Sequence, residues 1–241
     1  MQSLFSAIIS FSLLVVCEAQ GKVAPLLPSE FYANMLQNKF NQNGFGVNHT
    51  CSGTYYSSLS QMMVRADCTA AGYISNNASI PSPTQSSIFL SLMDFENNLN
   101  TVVTWNNLGS TPSCWKGPCG WLPPLAPTFL RDNNAIYGGI ENTKFDGDCE
   151  KWQFLAKGNT FFTFYFNKFQ QLTRFDFVTY DPNQKEVGVN NQFFNVVTGN
   201  SSLLPPAIFS GSGNCPNGSL KDVAKREISL ASLFPTTEHQ G

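Results

Sequence analysis

The chain has 241 residues and a hydrophobic fraction of 42%, enough for one well-buried domain. Charged residues are only 12%, the formal net charge is -2 and no Lys/Arg cluster occurs. That excludes nucleic acid as a natural partner and leaves no polybasic or lipidation signal for membrane anchoring.

Residues 1–19 read as a signal peptide. Leu4 to Val16 is a short apolar run, and Cys17-Glu18-Ala19 places small residues where a signal peptidase reads, so cleavage is expected after Ala19. The run is too short to span a bilayer, and no later segment does so. The expected mature domain is 20–241, extracellular, with the lysosomal lumen as the other compartment. Four N-x-S/T sequons, at Asn48, Asn77, Asn200 and Asn217, agree with secretion and glycosylation. So does a surface rich in neutral polar residues.

Along the mature chain the dominant pattern is period two, punctuated by Gly, Asn and Pro. Residues 30–40 fit helix or strand equally. "GTYYSSLSQMMVRADC" (53–68) predicts two strands around a Ser-rich turn. "SIFLSLMDFENNLNTVVTWNN" (87–107) predicts a hairpin around Glu96-Asn97-Asn98. "SCWKGPCGWLPPLAPTFL" (113–130) reads as an irregular loop covering something. "KWQFLAKGNTFFTFYFN" (151–167) predicts a hairpin turning at Lys157-Gly158-Asn159, and "QLTRFDFVTYD" (171–181) pairs with its Phe strand. "SLKDVAKREISLASLF" (219–234) has helical spacing and predicts an amphipathic helix ended by Pro235. Strands at short spacing without intervening helices point to an antiparallel sheet or barrel. Gln61–Asp67 also echoes Gln171–Asp176: both follow a turn, and both set Arg two residues before Asp, on one strand face.

Six cysteines remain after cleavage: Cys51, Cys68, Cys114, Cys119, Cys149 and Cys215. An even count in an oxidising compartment reads as three disulfides, with fifteen connectivities open. Metal binding fails on spacing, because there is no C-x-x-C and His49 and His239 are the two histidines. Asp146, Asp148 and Glu150 lack the spacing of an EF-hand loop and read as a solvated turn. There is no G-x-S-x-G, H-E-x-x-H or phosphate loop, and neither histidine suits acid–base work. The chain is therefore read as no enzyme and as needing no cofactor or metal. A secreted or lysosomal hydrolase with carboxylates converging from distant positions is the least favoured reading.

"CEKWQF", "NTFFTFYFN", "QQLTRFDF", "NQFFNVV" and "LLPPAIFSGSGNC" then follow in order. Cys149, Trp152, Phe164, Arg174, Phe175, Phe193, Pro205, Pro206 and Cys215 in that arrangement, after the 53–68 hairpin, resemble ependymin-related secreted glycoproteins over residues 28–215. The resemblance implies a LolA-like lipid-carrier fold: mainly β, a strongly curved antiparallel sheet forming a half-barrel, with a few covering helices and an apolar cavity. No calcium motif carries over. On this reading Phe162, Phe164, Phe166, Phe175 and Phe177 face one cavity that accepts an apolar small molecule or lipid. The same alternation equally fits a plain core. A second class stays open: an extracellular adhesion or matrix module that self-associates as a homodimer through the Trp loop. The expected disulfides are Cys114–Cys119, Cys149–Cys215 and Cys51–Cys68.

Overall fold

The computed structural model describes residues 21–40, 47–72, 85–105, 113–119, 122–156, 160–180 and 186–210. The leader, the 219–234 segment, Cys215, Asn77, Asn217 and the turn 157–159 lie outside the described residues.

The strands are β1 (Glu30–Phe40), β2 (Val47–Ser58), β3 (Met63–Gly72), β4 (Gln85–Asp94), β5 (Leu99–Trp105), β6 (Ser113–Gly117), β7 (Ile136–Thr143), β8 (Gly147–Ala156), β9 (Thr160–Phe166), β10 (Leu172–Tyr180) and β11 (Glu186–Gly199). They form one antiparallel sheet in the order β6-β5-β4-β3-β2-β1-β11-β10-β9-β8-β7. The first and last strands pair at its centre, and the chain meanders outward from β1 to the β6 edge. It then crosses to the opposite edge, β7, and meanders back to β11. The fold is mainly β, with an open sheet and few helices.

Local sequence explains these elements. Phe31, Ala33, Met35 and Gln37 are buried on alternate positions, so the 30–40 segment resolves as a strand. The 95–98 turn carries Asn98 at positive φ, and Asp94 accepts the Asn97 amide N–H at 3.0 Å. The Leu59–Met62 turn separates β2 from β3, where the Ser-rich break predicted it. The 113–130 segment is only partly irregular: 113–117 forms β6 because it continues the ladder on β5, with Val103 opposite Cys114. One short helix, α1 (Phe129–Asp132), and a 3-10 turn (Pro206–Phe209) complete the described elements.

Interrupted register bends the sheet. The pairings shift between Tyr32 and Asn34, between Leu172 and Arg174, and between Tyr137 and Ile140, where Gly139 has a φ of +91°. Such bulges increase local twist and coiling. At the central seam the register is fixed by a buried amide pair: Gln37 Nε2 donates to Asn191 Oδ1 at 2.8 Å, and Asn191 Nδ2 donates to the Phe175 carbonyl at 3.2 Å. A one-residue slip would strand both amides in the core.

The cysteines bear out one expected pairing and correct two. Cys51 and Cys68 are bonded diagonally across β2 and β3, with Cα atoms 5.8 Å apart. Gly53 stands directly opposite Cys68, and a Cβ there would fall 1.8 Å from the Asp67 carbonyl oxygen. Glycine is what lets the two backbones approach beneath the bridge. Cys119 and Cys149 are free and buried, so neither Cys114–Cys119 nor Cys149–Cys215 is formed. Cys114 is disulfide-bonded, to neither of them. The Cys119 thiol instead turns to the Asp94 carbonyl oxygen, at 3.4 Å, and burial pushes it up to about 12. The Cys149 sulfur lies 3.8 Å from each of the Thr143 and Thr173 hydroxyls. Peptide mapping under non-reducing conditions is expected to yield a Cys51–Cys68 crosslink. It should alkylate Cys119 and Cys149 only after denaturation. Recovery of either in a disulfide would contradict this arrangement.

Candidate functional site

Alternation on β8, β9 and β10 places Trp152 and Phe154, then Phe162, Phe164 and Phe166, then Phe175 and Phe177 on one face. Trp152 stands opposite Phe164 and Phe164 opposite Phe175; in the next row Phe154 stands opposite Phe162 and Phe162 opposite Phe177. The rings form a continuous row across the sheet. Phe164 and Phe175 stack at 5.8 Å, Phe175 and Phe193 lie at 5.7 Å, and Phe193 meets Phe31 at 5.7 Å and Tyr55 at 5.4 Å. All five predicted Phe are buried on this inner face, and Phe162, Phe164 and Phe166 are wholly inaccessible.

Two extended straps cover that face. The first, residues 21–29, precedes β1. The second, made of residues 118–119 and 122–135, leads from β6 towards β7. Four prolines in the second strap, at 118, 123, 124 and 127, disfavour a long covering helix. The straps are tied to each other: Leu27 N–H donates to the Pro127 carbonyl at 3.0 Å, and Arg131 Nε donates to the Ala24 carbonyl at 2.9 Å. Leu130 is fully buried, and Phe129 packs edge-on against Phe154 at 5.5 Å. The first strap is pinned at its start by Lys22, whose ammonium lies 2.6 Å from Glu150 and 4.2 Å from the Tyr137 ring centroid. The hydrogen bond from Lys22 holds the Glu150 carboxyl below its usual range. Its stabilisation is present above the ordinary carboxylate pKa and is lost as pH falls through the lowered one. As an exposed pair it contributes about 0–1 kcal/mol.

Between the straps and the sheet lies a small apolar cleft of about 30 Å³, partly open to solvent. Leu27 and Pro28 line it from the first strap, Leu122, Pro123 and Leu125 from the second. Phe31, Tyr55, Ser57, Phe164, Leu172 and Phe175 form its floor and walls. The hydroxyls of Tyr55 and Ser57 are its polar side-chain groups. The cleft is thus narrower than the five-Phe cup anticipated. Phe164 and Phe175 reach it, while Phe162, Phe166 and Phe177 are not among its lining residues. Phe162 is stacked at 5.2 Å on Phe154. The second strap falls in the 113–130 segment read as a covering loop; the first has no counterpart in the sequence reading, and its signal is the Pro-Leu spacing of 24–28, which no strand or helix explains.

The outer face carries the predicted echo. Arg65 pairs with Asp67 at 2.8 Å and lies over the Tyr56 ring; Arg174 pairs with Asp176 and lies over the Tyr165 ring. Burial raises Asp176 above the usual carboxylate range against the pull of Arg174, and burial pushes Tyr165 up to about 12. The acidic run is dispersed: Asp146 accepts from Gln192, Asp148 from Asn142, and Glu150 pairs with Lys22. Among the described residues no group of three His, Cys, Asp or Glu could hold a metal. Of the sequons, Asn200 is exposed at the end of β11. Trp115 falls on β6, and Trp121 lies outside the described residues.

No family model and no curated protein matches the chain. Solved structures similar to it include an uncharacterized conserved protein from Thermus thermophilus, at 12% identity and a TM-score of 0.43, over 80% of this chain and 91% of that one. A LolA-superfamily protein from Nitrosomonas europaea aligns at 8% identity and a TM-score of 0.31, over 76% of this chain and 91% of that one.

The site predicts a graded response to truncation. Phe162→Ala removes a ring packed on all sides and is expected to cost about 3–5 kcal/mol. Leu125→Ala, at the half-open wall of the cleft, is expected to cost about 1–2 kcal/mol. Urea denaturation of the two variants measures the difference; equal losses would mean that the cleft wall is as tightly packed as the core.

Proposed function

We propose that the protein is a secreted glycoprotein that binds an apolar small molecule or lipid in the cleft between the straps and the inner face of the sheet. The observation that carries this reading is the covering. A sheet face rich in Phe is roofed by two proline-bearing straps, tied to each other by few hydrogen bonds, and the roof leaves apolar space beside Phe164 and Phe175. Ligand sites are typically clefts lined by apolar side chains with a few polar groups; this cleft has such a lining, and with about 30 Å³ of free space it takes up a ligand by parting the straps. A single acyl chain suits it better than a bulky ring system, because the space is bounded by leucine and phenylalanine side chains on both sides. The sequence resemblance to ependymin-related proteins points the same way, and the signal peptide with exposed Asn200 supports the secretory assignment.

The test is a fluorescent fatty-acid probe titrated into the secreted protein and into Leu125→Trp, which fills the cleft from its half-open wall. Saturable binding by the wild type, weakened at least about tenfold in the variant at an unchanged denaturation midpoint, is the expected result. Absence of binding to the wild type, or equal binding by the variant, would leave the Phe row as core only.

A further inference from the structure

Two neighbouring turns carry the same dipeptide. Lys144-Phe145 lies between β7 and β8, and Lys168-Phe169 lies between β9 and β10. Both are at the end of the sheet where β9 gives way to β10. Gln170 reaches Glu150 at the start of β8 at 3.4 Å, and Gln192 donates to both Asp146 and the Thr173 carbonyl. Phe145 is 58% exposed and Phe169 70% exposed.

These rings stand on ordered backbone. In the second turn Asn167 Oδ1 accepts the N–H groups of Phe169 at 2.9 Å and Gln171 at 3.1 Å, and Gln170 takes a positive φ. In the first, Asp146 N–H donates to the Thr143 hydroxyl at 3.1 Å, and Gly147 takes a φ of +70°. The Phe145 ring meets Phe194 edge-on at 5.5 Å and still stands largely in water, as does Phe169; a fixed turn that holds a phenylalanine so forgoes hydrophobic free energy in the free protein.

The charges beside the rings are unevenly committed. Asp146, Asp148 and Glu150 are each engaged by a neighbouring donor of the sheet. Lys144 and Lys168 form no salt bridge among the described residues, and the Lys168 ammonium sits 5.1 Å from the Phe169 ring centroid. Each turn therefore offers one aromatic ring and one free ammonium. Two separate tips do not make the contiguous area of about 800 Å² per partner that a stable protein interface buries. A bilayer surface needs no such area. It takes up single aromatic rings at the headgroup level and draws ammonium groups to its phosphates.

We propose that these two turns form a membrane-docking surface, with Phe145 and Phe169 entering the headgroup layer of an anionic bilayer and Lys144 and Lys168 contacting lipid phosphates. The proposal stands on the turns and holds whether or not the cleft is filled. The test is co-sedimentation of the full secreted protein with phosphatidylcholine vesicles, with and without phosphatidylserine, alongside Phe145→Ser/Phe169→Ser and Lys144→Gln/Lys168→Gln. Binding by the wild type is expected to fall about tenfold or more in the Phe variant. The Lys variant should lose the enhancement by phosphatidylserine and its sensitivity to salt. All four positions are at surface turns, and the denaturation midpoint checks that each variant stays folded. Failure of the wild type to sediment, or equal sedimentation of all three proteins, would overturn the proposal. So would a dimer in solution that the Phe variant dissociates, which would assign the tips to a second copy of the chain.

Discussion

The pairing of β1 with β11 at the centre of the sheet governs the rest of the molecule. Because the first and last strands are neighbours, each half of the chain must meander outward, and β6 and β7 end at opposite edges. The segment that joins them has to cross the full width of the sheet. Residues 122–135 of that segment lie on the face that holds the Phe row. The buried Gln37–Asn191 amide pair fixes the register of that seam, and so fixes which side chains point beneath the crossing.

A crossing of this kind has two ways to satisfy its backbone. A helix would bond internally and seal the face; an extended strap must find partners outside itself. The prolines in the second strap favour the second route. Its partners come from the other strap, through Leu27 and Arg131, and from the 95–98 turn, whose Asn98 side chain accepts the Cys119 N–H at 3.1 Å. Straps joined at points rather than along a ladder leave space between those points. The apolar cleft is that space.

Strands β2 to β5 and β8 to β10, the hairpins around 57–60 and 96–98, the Phe face and the Arg–Asp pairs were legible in the sequence, because period two and turn residues are local signals. The cleft was not, since it depends on which edge each meander ends at, and strand order is a long-range property. That is why Phe166 and Phe177, on the same face as Phe164, lie beyond the cleft. Cys51–Cys68 pairs as expected, and the other two pairings failed for a related reason. Cys114 and Cys119 look like a local loop in the sequence, but Cys114 lies on the β6 ladder while the Cys119 thiol turns to the Asp94 carbonyl oxygen. An even count suggested pairs without saying which side chains would meet. The β1 segment was undecidable locally because its apolar spacing serves helix and strand alike; pairing on both sides with β2 and β11 decides it.

Native mass spectrometry of the purified protein, before and after organic extraction, tests most directly whether the space beneath the straps is a ligand site. A bound apolar species should appear as added mass that extraction removes and that returns on exposure to a fatty acid. An unchanged mass before extraction, after it and after exposure to the fatty acid would contradict the ligand reading and leave the inner face as a closed core.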